Sequence, residues 1–89
     1  MSEGDNKLKV TISGTVNGIA CPIHLGFYGA APPGCGNEVK VAEANAQGAW
    51  GPVVGVDTGN YWVKAGDSWA TNPVPLRVMT NKTGIVITV

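Results

Sequence analysis

The sequence predicts an all-β domain, a single antiparallel β-sandwich of about seven short strands. Three observations predict it. Apolar residues recur at every second position in several short stretches, the spacing of a half-buried strand. Gly and Pro, at 13 and 6 of the 89 residues, interrupt those stretches at turns. No stretch carries a convincing 3.6-residue period. A chain of this length makes one domain and buries only about 60–65% of its unfolded surface, so a thin core is expected. The expected organisation is a polar N-terminal segment over 1–6 and a sandwich over 7–89.

The strands follow in order. "KLKVTISG" points Leu8, Val10 and Ile12 inward and Lys7, Lys9, Thr11 and Ser13 outward. "PIHLGFYG" alternates Ile23, Leu25 and Phe27 with His24, Gly26 and Tyr28. "EVKVAEA" places Val39 and Val41 on one face, although Glu43, Ala44 and Ala46 favour helix and leave a short helical turn as the alternative. "AQG" at 46–48 turns into "AWGPVVGV". "NYWVKA" sets Tyr61 and Val63 against Trp62 and Lys64. "NPVPLRVMT" carries Val74, Leu76 and Val78, with Pro73 and Pro75 assigning it to an edge or a bulge. "GIVITV" closes with Ile85, Ile87 and Val89 on one face.

Six basic and six acidic residues cancel, and charged residues are only 13% of the chain, about half the ordinary share. A surface so poor in charge is weakly protected against association. The five lysines and one arginine are scattered, which argues against nucleic acid. "MSEGDNKLKV" has no apolar signal-peptide region, and no run of 18 apolar residues exists to span a membrane. The expectation is a small complete product used without Sec-type export, or a domain of a longer exported chain.

The order of these pieces resembles the carboxypeptidase-regulatory, transthyretin-like modules and the bacterial Ig-like modules. "VTISGTVNG" is similar to their first strand, and "VKVAEANAQGAW" to their hairpin through a glycine into a tryptophan. "VDTGNYWVKA" and "GIVITV" resemble the strands that follow. The resemblance spans nearly the whole chain, on generic motifs. It implies an Ig-like or transthyretin-like sandwich, and non-catalytic work as spacer, stalk, adhesion or assembly module. The loop "GAAPPGCGNE" and the two cysteines depart from it.

Few residues are suited to chemistry. Cys21 and Cys35 would close a 15-residue loop worth about 3 kcal/mol if bridged. Separate thiols and an intermolecular bond through the "PPGCGN" loop are the alternatives. "CPIH" suggests a metal set of Cys21, His24 and Cys35, but three residues along a strand put Cys21 and His24 on opposite faces. One histidine and no "GxSxG", "HExxH" or phosphate loop leave no catalytic constellation, so no enzyme and no cofactor is expected. Asp57 and Asp67 sit in turns, where they cap their own backbone. "NKT" at 81–83 fits a glycosylation acceptor and equally a hairpin turn.

Trp50 follows a turn and is expected in the core. Trp62 faces away from Tyr61, and Trp69 lies in the loop "GDSWATNP". Outward aromatics either cover a second, minor core under the loops or mark a surface that a neighbour covers. Trp62, Trp69 and Tyr28, with Pro32 and Pro33 of the long loop, form the expected interaction surface. The function expected is a non-enzymatic structural subunit with protein partners in a homo- or hetero-oligomeric assembly. A phage virion decoration or tail protein, or an extracellular filament subunit, fits best. The alternative is a carbohydrate-binding or adhesion module of a secreted protein, with Asn60, Asp67 and Asn72 beside the rings. Neither nucleic acid nor membrane is expected as a partner.

Overall fold

Alternation along the strands decides what each side of the backbone meets. The computed structural model describes residues 8–89; the 1–6 segment and Lys7 lie outside the described residues. The strands are β1 (Lys9–Asn17), β2 (Ile23–Tyr28), β3 (Lys40–Ala44), β4 (Ala49–Asp57), β5 (Gly59–Ala65), β6 (Ser68–Trp69), β7 (Leu76–Val78) and β8 (Lys82–Thr88). They make two sheets in a β-sandwich-like arrangement. One has the order β4-β1-β8; the other runs β3-β2-β5, with β6 and β7 each paired to β5. No helix occurs among the described residues.

The inward positions of both sheets merge into one core. Val10, Ile12 and Val16 of β1 join Ile85 and Ile87 of β8, Leu25 and Phe27 of β2, and Tyr61 and Val63 of β5. Phe27 is central: its ring lies 5.5 Å from Trp50 and 6.4 Å from Tyr61, tilted against the first and edge-on to the second. Trp50 is buried, as the sequence implies. The Tyr61 hydroxyl donates to the Asp57 carbonyl at 2.5 Å, pinning the corner where the chain crosses from β4 to β5. Burial holds the Tyr61 phenol above its ordinary pKa, with the Asp57 carboxylate adding to the effect.

Several expectations are corrected. The sheets are not wholly antiparallel: β1 and β8 pair in parallel, with Gly14 opposite Ile85. Such pairing of chain-distant strands leaves no local sequence signal. There are eight strands rather than seven, because Trp69 is not in a loop but in the two-residue strand β6. Leu8 does not point inward; it is 68% exposed and precedes the first paired residue, Lys9 opposite Asp57. Val74 is also exposed, since Pro73 and Pro75 withhold ladder donors and the strand begins only at Leu76. Val41 of β3 and Val39 just before it do share one face as expected, and that face is the solvent side, the core side belonging to Ala42 and Ala44. The helical alternative is not adopted. Asn45 Oδ1 accepts from the Gln47 and Ala49 amides, and a tight turn with Gly48 at φ 83° follows.

Gly14 shows how closely the strands approach. A Cβ there would overlap the backbone carbonyl of Ile85. Gly14→Ala is expected to destabilise the fold by about 2–3 kcal/mol through overpacking against rigid backbone. The urea midpoint reads this. Tyr61→Phe should cost about 1 kcal/mol by removing the hydroxyl that donates to the Asp57 carbonyl.

Candidate functional site

The outer face of the five-stranded sheet follows from the same alternation. With Leu25 and Phe27 in the core, β2 turns His24, Gly26 and Tyr28 outward. With Tyr61, Val63 and Ala65 in the core, β5 turns out Trp62 and Lys64. Register joins the two sets: Tyr28 is opposite Trp62, Gly26 opposite Lys64, and Lys64 opposite Trp69 on β6. The three rings expected at an interaction surface therefore share one face, each half-buried.

Gly26 organises this face by lacking a side chain. A Cβ there would overlap a Glu38 carboxylate oxygen and stand 3.1 Å from Cε1 of Tyr28. The vacant position lets the Tyr28 ring lean along the strand. It reaches Trp69 with ring centroids 5.0 Å apart and planes tilted by 59°. The Lys64 ammonium sits 5.5 Å from the Trp69 centroid, a cation–π contact.

The same gap admits an ionic network. His24 Nδ1 lies 2.6 Å from Glu43 Oε2, and His24 Nε2 lies 3.1 Å from Glu38 Oε2. Glu43 is placed by β3, whose register sets it opposite His24. Glu38 lies near the end of the loop between β2 and β3, and the Val39 amide donates to the Phe27 carbonyl at 2.7 Å beside it. Hydrogen bonding to Glu43, then to Glu38, holds the imidazole above its ordinary value near 6.5, against a smaller lowering by burial.

The remaining expected residues lie apart from this network. Pro32 and Pro33 are exposed on the loop leaving β2. Cys21 and Cys35 are free, half-buried thiols, so the intrachain bridge is not formed. Cys21 precedes β2, and its Sγ lies 3.6 Å from the Ile19 carbonyl oxygen; Cys35 follows the strand's far end. Among the described residues no group of His, Cys, Asp and Glu side chains has the arrangement to hold a metal ion. Both His24 nitrogens face carboxylates rather than cysteines. Asn81 of "NKT" accepts the Thr11 amide through Oδ1 at 2.9 Å and ties β1 to the start of β8.

Sequence reasoning missed Glu38, Glu43, Lys64 and the part played by Gly26. Only Gly26 left a signal, as a glycine between two outward polar residues within a strand. Next to the face, the free edges of β3 and β4 border a groove of about 680 Å³ lined by Val39, Val41, Val53 and Val54. The Lys40 ammonium bridges it to the Val54 carbonyl at 3.3 Å. No helix among the described residues is long and apolar enough to cross a membrane. No protein-family model, curated protein or solved structure matches the chain.

The raised His24 value gives a pH dependence. A group whose pKa rises on folding stabilises the fold fully below its unfolded value and loses that contribution as pH passes its folded value. The urea midpoint should therefore fall between about pH 6.5 and the folded His24 value. His24→Gln should remove this step. An unchanged step in that variant would assign it to another group.

Proposed function

We propose that the chain is a non-enzymatic structural subunit that works by protein–protein contact through the outer face of its five-stranded sheet. The observation that carries this reading is the convergence of Tyr28, Trp62 and Trp69 from three strands onto one solvent-facing surface. Aromatic residues are enriched where interfaces gain most of their energy. Val39 and Val41 extend the face, and both are about half exposed. The outer side of the other sheet carries Thr11, Thr15 and Val86 instead, without large rings. A zero net charge adds no repulsion between copies. A virion decoration or tail protein, or a subunit of an extracellular filament, is the setting that fits these properties. Within this reading the sandwich is Ig-like or transthyretin-like. The Tyr61–Asp57 bond at a crossing between sheets supports it, as it resembles the tyrosine corner of such sandwiches.

The second reading is a carbohydrate-binding or adhesion module, which Asn60 next to Trp62 favours. Two features weigh against it. The Tyr28 and Trp69 planes are inclined at 59°, so they do not make a flat stacking surface, and Lys64 already covers a face of Trp69.

Light scattering over a hundredfold dilution separates the two. The protein should exceed its 9.1 kDa monomer mass at the concentrated end and stay associated in a few hundred millimolar salt. Trp62→Ala and Trp69→Ala should return it to the monomer, each weakening association at least about tenfold. A monomer at every dilution, with saccharide-dependent quenching of tryptophan emission, would replace this reading with the second.

A further inference from the structure

The ionic network beside the rings sits on the face assigned to docking, and its geometry depends on one proton. A neutral imidazole has a single N–H donor, whereas imidazolium has two. His24 places each ring nitrogen within hydrogen-bond distance of a different carboxylate, 2.6 Å from Glu43 and 3.1 Å from Glu38. Both contacts are satisfied together only by the charged ring. Loss of the proton leaves one carboxylate facing a nitrogen lone pair.

We propose that Glu38, His24 and Glu43 form a proton-operated clasp that makes the aromatic face competent to dock a second copy of the chain, whose zero net charge sets up no repulsion between copies. The clasp rests on the reading of that face as an interface. With the proton, His24 and Lys64 balance the two glutamates and Glu38 stays over Gly26, beside Tyr28. Without it, the face carries an excess negative charge and a carboxylate lacking a donor. Docking strips water from the face, and a carboxylate without a partner is costly to desolvate. Association should therefore be tighter in acid and weaken as pH rises through the His24 transition. The charged groups on the elements beside β2 are Lys64, opposite Gly26 and held over Trp69, and Asp67 in the β5–β6 turn. The Gly66 amide of that turn donates to the His24 carbonyl at 2.9 Å. Lys40, on β3, is engaged by the Val54 carbonyl.

His24 is the only histidine, so its imidazole resonances can be followed without assignment ambiguity. In dilute protein without any partner, His24 should titrate above 6.5, and the Tyr28 ring resonances should move with the same midpoint. Glu38→Gln, Glu43→Gln and Gly26→Ala should each lower that midpoint. Gly26→Ala is the sharpest of the three, because it displaces Glu38 without changing a charge. In the associating range, the dissociation constant should rise about three- to tenfold from pH 5.5 to 8.5, the loss expected when one hydrogen bond in the contact is left unmade. In His24→Gln it should change less than about twofold. A Tyr28 signal indifferent to pH, or a His24 midpoint at or below 6.5, would overturn the clasp. So would pH dependence surviving in His24→Gln. If no association occurs at any pH, the docking role fails, and the dilute titration still decides whether the clasp exists.

Discussion

The packing of Phe27 against Trp50 and Tyr61 is the contact on which the rest of the molecule depends. It joins β2 to β4 of the opposite sheet and to β5 of its own. In a domain of this size few large side chains are available, and aromatic ones bury the most surface each. Fixing Phe27 inward fixes the phase of β2, since one residue of slip would reverse every side chain. His24, Gly26 and Tyr28 are thereby committed to solvent. The candidate site is the reverse side of the core's central strand.

From that commitment the face assembles with little further freedom. The β2–β5 register brings Trp62 beside Tyr28, and β6 supplies Trp69 at the next position across. The β2–β3 register brings Glu43 to His24. Gly26 leaves room for what neighbours on both sides send across it: the Tyr28 ring toward Trp69 and the Glu38 carboxylate toward His24. Rings and ion pairs are thus coupled through one missing Cβ. None of these polar groups is buried, and among the described residues the core contains no buried polar or charged residue.

Much of the fold was legible because it is written at period two. Val10, Ile12, Leu25, Phe27, Val63, Ile85 and Ile87 all face the core as alternation implies. Leu8 and Val74 were misread because alternation says which side a residue takes and not whether a partner strand covers it. The parallel pairing of β1 with β8 is a contact between the two ends of the described chain, which no local pattern encodes. In the site, the outward Trp62 was legible from its neighbour Tyr61. The Glu38–His24–Glu43 network was not, since Glu43 meets His24 only through cross-strand register and Glu38 only through the return of an eleven-residue loop, 29–39.

The central claim is that this face, and not the opposite one, meets a protein neighbour. A concentration series of two-dimensional NMR spectra at pH 5.5 tests it most directly, with signals followed residue by residue. The account requires concentration-dependent shifts or broadening at Tyr28, Trp62, Lys64 and Trp69, with Thr11, Thr15 and Val86 unchanged. Perturbation centred on Thr11, Thr15 and Val86, or spectra constant up to the solubility limit, would contradict it.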